Sequence, residues 1–266
     1  MSTRASRAKT RGALLTTEAL VSALRVSEGA VLVGGQALAF WVGYFRLALR
    51  SGPQPFVNRE GDFLGRSDHV KRFAAAVGGQ VEMAPNRGLS ALHGAVVRQG
   101  QHGPEVLIDV LNSVIGIDND ELRRRAVRVT HPKDPSVSFD VMDPLTCLVS
   151  RIENLRQLDA KRNEVGVWQA RIAIDVCRAH IAKQLEDGNE RLAIRTARAV
   201  LRLAGSAAGL QAHRRYDLEL LKAIPVEHFK TAAFRETQYV RVVSRVRRLR
   251  ADFQEPPKAG PMGPKR

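Results

Sequence analysis

The hydrophobic pattern of the chain changes period near residue 141, and this change limits the folds that the chain can adopt. Before it, short apolar runs such as residues 30–33 and 105–111 have the length and composition of buried strands. After it, apolar residues recur every three or four positions, as on one face of a helix. The pattern predicts an α+β fold, in which a sheet flanked by helices is followed by an all-helical C-terminal domain.

Composition along the chain suggests four segments. We expect a flexible basic tail over residues 1–12, an α/β domain over 13–140, a helical domain over 141–253 and a disordered tail over 254–266. No apolar run is long enough to span a membrane, and no apolar segment follows the first basic residues as in a secretory signal. These features predict a cytoplasmic protein, with Cys147 and Cys177 either reduced in the core or joined as a disulfide.

Capping and turn residues predict where the individual elements begin and end. Thr17 and Ser67 are the expected caps of two early helices, and Asp143 caps a later helix that has Pro144 at its first position. The other expected helices cover residues 36–49, 167–184, 190–203, 216–221 and 238–253. The expected strands cover residues 30–33, 56–63, 80–83, 94–98 and 105–111, and the stretch from there to Asp140 is expected to be less regular.

Three carboxylates occur where a charge is costly. Glu60 and Asp62, in the segment NREGDFLG, point to the same side of an extended chain and repel each other. Asp109 lies inside the apolar run VLIDVL, where a buried charge requires a cationic partner. A bound Mg²⁺ would meet this requirement, because it takes carboxylate oxygens together with the phosphates of a nucleotide. Ion pairs with some of the many arginines explain the same pattern equally well.

Gly34 and Gly35 stand between an expected strand and an expected helix. Without side chains, the backbone can approach a phosphate closely, and the helix N-terminus adds unpaired N–H groups. A tight strand-to-helix turn with no ligand is the alternative.

Taken together, GGQAL at residues 34–38, EGDFLG at 60–65 and IDVL at 108–111 resemble the nucleotidyltransferase superfamily of DNA polymerase β. The likeness is closest to its minimal and abortive-infection-toxin branches, and it extends from residue 30 to about residue 178. In that family a Gly-Gly or Gly-Ser turn precedes an acid-x-acid strand, and a third acid follows on a neighbouring strand. The resemblance implies a nucleotidyltransferase-like mixed sheet, in which Glu60, Asp62 and Asp109 are catalytic and bind Mg²⁺. It also implies an NTP bound by Gly34 and Gly35 in a cleft beside the helical domain.

The resemblance also implies a basic residue after a Pro-Leu helix start, and MDPLTCLVSRIENL offers Arg151 where the family more often has Lys. At about 100° per residue, Arg151 falls between Leu155 and Leu158 on the apolar stripe, so it is expected to face the protein and bind the nucleotide. A surface arginine that snorkels to water is the alternative.

Three departures from the family pattern leave two functions open. Glu60 stands where the family usually has Asp, Gly61 replaces an apolar residue, and the spacing from Gly35 to Glu60 is longer than usual. One function is Mg²⁺-dependent transfer of a nucleotidyl group from an NTP to a nucleic-acid or protein hydroxyl, as in toxins of toxin–antitoxin or phage-defence systems, with an antitoxin protein as partner. The other is a catalytically degenerate fold that binds nucleic acid or a partner protein.

The charge distribution favours a polyanionic partner such as tRNA or another nucleic acid. The chain carries a net charge of +15, and from Val141 onward it has 24 basic and 14 acidic residues. Aligned arginines on two predicted helices suggest nucleic-acid contact, with solvated helix faces as the alternative. They are Arg191, Arg195, Arg198 and Arg202 on one helix and Arg241, Arg245 and Arg248 on the last.

Overall fold

The computed structural model describes residues 15–49, 60–85, 91–100, 103–132 and 134–253. It has an α+β fold and forms two compact units, Met1–His180 and Ile181–Arg266. The predicted tails, residues 1–12 and 254–266, lie outside the described residues. The first unit extends past the predicted boundary at residue 140, because the two helices that follow the sheet belong to it through His180.

The first unit combines six helices with a mixed sheet. Its helices are α1 Thr17–Arg25, α2 Gly34–Tyr44, α3 Ser67–Val77, α4 Asn119–Arg125, α5 Pro144–Gln157 and α6 Glu164–Glu186, which extends past His180. Its strands are β1 Val31–Val33, β2 Gly61–Leu64, β3 Gln80–Met83, β4 Leu92–Gly100, β5 Gly103–Leu111, β6 Val127–His131 and β7 Asp134–Val141.

The strand order of the sheet is β3-β4-β5-β2-β1-β7-β6. β2 is central and pairs antiparallel with β1 and parallel with β5. On β2, Phe63 packs against Phe73 of α3 with ring centroids 4.6 Å apart, and both rings are fully buried. Successive strand residues face opposite sides of a sheet, so Asp62 points away from the face that α3 covers.

Several elements differ from the sequence expectations, and at α1 and α3 the cap involves a residue other than the predicted one. Thr16, and not Thr17, caps α1 by accepting a hydrogen bond from the N–H of Ala19 at 3.2 Å. At α3 the buried His69 accepts from the backbone N–H of Arg66 at 3.0 Å, while Ser67 is already helical. α2 begins at Gly34 and ends at Tyr44, and the stretch expected to be irregular contains α4 and the β6–β7 hairpin.

The predicted cap of α5 is confirmed. Asp143 Oδ1 accepts hydrogen bonds from the N–H groups of Leu145 and Thr146 at 3.1 and 3.3 Å. The residue is buried, and its carboxylate forms a two-pronged ion pair with Arg125 at 2.9 and 3.2 Å. Burial lowers the pKa of Arg125, but the hydrogen bond and the charge of Asp143 outweigh it and leave that pKa raised.

The two cysteines are free and buried in the described structure, in agreement with their prediction as reduced core residues. Burial raises the pKa of the Cys147 and Cys177 thiols, which keeps both in the neutral form.

The described residues of the second unit form helices and loops. They include α7 Glu190–Ala204, α8 Ala207–Tyr216, α9 Val240–Asp252 and a π-helix, Ala233–Tyr239, directly before α9. The helix expected over residues 216–221 is wrong, because α8 ends at Tyr216 and Asp217 adopts a left-handed conformation with φ of 51°. None of the helices in the described ranges is long and apolar enough to cross a membrane.

A carboxylate–guanidinium pair in the second unit makes a pH-dependent contribution to stability. Arg250 donates to both oxygens of Glu219, at 2.7 and 2.8 Å. Burial raises the pKa of Glu219, but the hydrogen bond and charge of Arg250 outweigh it, so the folded-state pKa lies below its ordinary value. The Glu219–Arg250 pair therefore contributes its full stabilisation of the folded state above the unfolded-state pKa of Glu219. This contribution is lost as the pH falls through the folded-state pKa of Glu219.

We expect Glu219→Gln to weaken the loss of stability on acidification from about pH 7 to about pH 3. Urea denaturation across this range measures the effect. The control is Glu236→Gln, because Glu236 pairs with Arg235 at an exposed position. If the unfolding free energies of wild type and Glu219→Gln fell equally on acidification, the pH-dependent role of the Glu219–Arg250 pair would be contradicted.

Candidate functional site

The first element of the candidate site is the turn from β1 into α2. Gly34 is the first residue of α2 and has a positive φ of 67°. A Cβ atom at this position would lie 2.0 Å from Oδ2 of Asp62, so only glycine permits this approach. The Asp62 carboxylate therefore lies at the N-terminus of α2, where the helix dipole favours a negative charge. Gly35, also predicted to bind nucleotide, is buried in the first turn of the same helix.

The second element is a pair of carboxylates on neighbouring strands. Asp62 on β2 is the register partner of Asp109 on the parallel strand β5, so both side chains leave the same face of the sheet. Paired strands are about 4.8 Å apart, which places the two charges side by side. Both residues are half-buried, and Oδ1 of Asp109 is shielded from solvent. Two adjacent carboxylates in such surroundings attract a cation.

The third element is Arg151 on α5. This residue is 4 % exposed, which confirms that it faces the protein interior. Its Nη1 donates to Oε1 of Gln169 at 3.2 Å, while Nε and Nη2 are buried and have no hydrogen-bond partner among the described residues. Burial lowers the pKa of Arg151, and the nearby Cys147 and Asp62 act in the opposite direction. A buried guanidinium with two unused donors is costly unless an anion binds it.

Glu60 occupies a different position from the other two predicted acids. It is half-buried in a bend directly before β2, and Gly61 is the first residue of that strand. In the described ranges, no three or more His, Cys, Asp or Glu side chains form a cluster that could hold a metal ion, so Glu60 does not join Asp62 and Asp109 in one. The structure thus makes neighbours of Asp62 and Asp109 and leaves Glu60 outside the strand pairing, so the role of Glu60 stays a prediction.

Gln169 is a part of this site that the sequence analysis missed. It is 3 % exposed on α6 and positions the guanidinium of Arg151. A signal for it exists in the sequence, since Gln169 is a polar residue on the stripe that Ile172, Ala173 and Val176 continue at helical spacing. All three of these residues are buried.

The predicted nucleic-acid-binding arginines of α7 separate into two pairs. All four side chains are exposed, but only Arg198 and Arg202 line an open cavity of about 570 Å³ within the second unit, and Arg191 and Arg195 lie elsewhere on the helix. The sequence pattern placed all four on one face, but the groove that forms where α9 packs against α7 is lined only by the C-terminal pair.

Comparisons with protein-family profiles, with curated proteins and with solved structures found no significant match.

Proposed function

We propose that the first unit is a Mg²⁺-dependent nucleotidyltransferase, which binds an NTP and transfers its nucleotidyl group to a hydroxyl of a nucleic acid or a protein. The observation that carries the proposal is the register in which Val33, Asp62 and Asp109 are neighbours across three strands. This register aligns two carboxylates with the glycine turn, in the arrangement that the family resemblance implies. The nucleotidyltransferase-like character of the mixed sheet is part of the same proposal.

The residues present suit a Mg²⁺ ion. Asp62 and Asp109 offer the carboxylate oxygens that this hard cation prefers, and Gly34 leaves the space beside Oδ2 of Asp62 free of a side chain. When bound, Mg²⁺ neutralises phosphate charge and stabilises the oxygens of a phosphoryl group during displacement.

The other residues of the site bind and orient the substrate in this proposal. The N–H groups of Gly34 and Gly35 open α2 and present hydrogen-bond donors to a phosphate, aided by the helix dipole. Arg151 has two unused donors, Nε and Nη2, for phosphate oxygens. Both atoms are buried and the cavity beside Arg151 has no room for a water molecule, so phosphate binding requires the side chains around Arg151 to move apart.

A second function, nucleotide or partner binding without transfer, is favoured by one observation. Glu60 precedes the strand, and the glycine that follows it weakens its positioning. Loss of orientation in a reacting group costs orders of magnitude in rate while ligand binding persists.

Mg²⁺-dependent NTP binding tests the proposal. We expect Asp109→Asn to weaken the binding of each NTP at millimolar Mg²⁺ by about tenfold or more, because the side chain loses its negative charge and one of its two oxygens. The measurement is isothermal titration calorimetry with and without Mg²⁺.

The matched control is Asp140→Asn, which removes a carboxylate from the same sheet at a residue that pairs with Arg128. Equal NTP affinity in Asp109→Asn and Asp140→Asn, or binding that does not depend on Mg²⁺, would contradict the proposal. Mg²⁺-dependent binding with no transfer to any acceptor would select the binding function.

A further inference from the structure

A groove in the second unit has a distinct chemistry of its own. It lies between α7 and the continuous segment formed by the π-helix and α9, and its volume is about 570 Å³. Arg198 and Arg202 line it from α7, and Arg241 and Arg245 line it from α9. We call these four residues the groove arginines. Between them the lining is largely apolar and includes Leu201, Val242, Val246 and Leu249.

The groove arginines have no acidic partner among the described residues. Arg198 donates a hydrogen bond to the side-chain oxygen of Gln238, a neutral group of the π-helix. Residues 181–253 contain 15 Lys and Arg but only 8 Asp and Glu. Several of these acids are already engaged outside the groove, as Glu219 is with Arg250 and Asp187 is with Lys183. Four like charges around one cavity repel each other, and a bound polyanion relieves that repulsion.

The spacing of the groove arginines indicates which polyanion fits. Within each pair the residues are four positions apart, so their side chains follow one another at about 6 Å along the helix axis. The groove therefore has a row of two guanidinium groups on each wall, which suits an extended chain of phosphates. Arginine binds phosphate oxygens with a planar, two-pronged donor set, whereas a single small anion would leave most of these donors unused.

The apolar lining indicates what accompanies the phosphates. Val246 and Leu201 are buried at the base of the groove, and Val242 and Leu249 are partly exposed above them. Flat apolar groups such as nucleobases pack on a surface of this kind. The buried Phe234 is 1 % exposed, so bases would contact aliphatic side chains and binding would depend little on sequence.

We propose that this groove binds single-stranded nucleic acid, with phosphates on the four groove arginines and bases against the apolar lining. The π-helix contributes the polar side chains of Thr237 and Gln238 to the same groove, and such helical irregularities often occur at functional sites. The inference concerns the second unit alone and does not depend on the nucleotide site of the first.

Fluorescence anisotropy of a labelled single-stranded RNA of about 12 nucleotides, measured over a range of salt concentrations, tests the proposal. For four phosphate contacts, the slope of log K against log salt is expected to be about −3. A fourfold alanine variant is expected to lose most of this slope and to bind at least about tenfold more weakly at low salt. Its substitutions are Arg198→Ala, Arg202→Ala, Arg241→Ala and Arg245→Ala.

A second variant serves as the control, because it removes the same number of positive charges from the same two helices. It removes four exposed arginines of α7 and α9 that do not line the groove, and it is expected to keep most of the slope. Its substitutions are Arg191→Ala, Arg195→Ala, Arg247→Ala and Arg248→Ala. Circular dichroism checks the folding of both variants. A third variant, in which lysine replaces each of the four groove arginines, keeps the charge and should retain the salt dependence.

Competition identifies the occupant. Unlabelled single-stranded RNA is expected to displace the probe at lower concentration than duplex RNA, ATP or a glutamate-rich peptide. Stronger displacement by any of these three would overturn the assignment to single strands. Equal losses of affinity and slope in the groove variant and its matched control would also overturn it, because the groove would then be no different from the rest of the basic surface.

Discussion

Replacement of Asp62 by asparagine is expected to reduce nucleotidyl transfer by about 10³-fold or more, since this residue has the most central place in the candidate site. Its Oδ2 lies against the α2 turn at Gly34, its register partner is Asp109, and its charge acts on Arg151. The amide of asparagine keeps the size of the side chain but removes the charge that, in the proposed reaction, would hold a cation, and that acts on the Arg151 guanidinium. The loss should therefore appear in the rate, with the fold intact.

The assay incubates the protein with each labelled NTP, Mg²⁺ and either pooled tRNA or total cell protein. Label is expected in an acceptor with wild type and with Asp140→Asn, and it is expected to disappear with Asp62→Asn. Urea denaturation of the three proteins separates loss of the site from loss of the fold. Transfer by Asp62→Asn at the wild-type rate would remove Asp62 from the reaction.

The toxin role that the family resemblance implies can be tested in cells with the same pair of variants. If the transfer reaction is toxic, expression of wild type should arrest growth, and Asp62→Asn should relieve the arrest while Asp140→Asn should not. Growth arrest that persists in Asp62→Asn would assign the toxicity to another part of the chain.

The largest effect on stability is expected from Asp143→Ala, at about 3 kcal/mol of unfolding free energy. The substitution removes the cap of α5 and leaves Arg125 without its ion-pair partner. The Asp143 side chain is 5 % exposed, so this ion pair is buried on the carboxylate side. The Arg125 side chain is 35 % exposed and can be partly rehydrated, so the expected loss lies at the lower end for a broken buried ion pair. Urea denaturation at neutral pH measures it.

Two further variants separate the contributions to this loss. Asp143→Ser keeps a capping oxygen and removes the ion pair, so it should fall between wild type and Asp143→Ala. Asp140→Ala breaks a more exposed pair with Arg128, in which the arginine side chain is 55 % exposed, and should cost less than about 1 kcal/mol. Similar losses for Asp140→Ala and Asp143→Ala would show that burial does not decide the strength of these pairs.

Local sequence patterns were sufficient for several parts of the structure. Asp143 and Pro144 predicted the start of α5, and the helical stripe predicted that Arg151 faces inward at 4 % exposure. Both features depend on residues within one or two turns of a helix, where spacing alone determines which side chains meet. The same patterns failed at α3, whose cap involves the third residue of the helix, His69, which tertiary packing buries completely.

The order of apolar residues along the chain was enough to predict that a sheet-forming part precedes a helical part, and the residue counts show that basic residues outnumber acidic ones. These properties follow from hydrophobic period and from counting, and they need no long-range information. Only the tertiary structure decided that Asp62 and Asp109, 47 positions apart, are register partners, and that Arg198 and Arg241 line one groove. The reason is that strand register and helix packing depend on which distant surfaces bury each other, and a local pattern does not contain that choice.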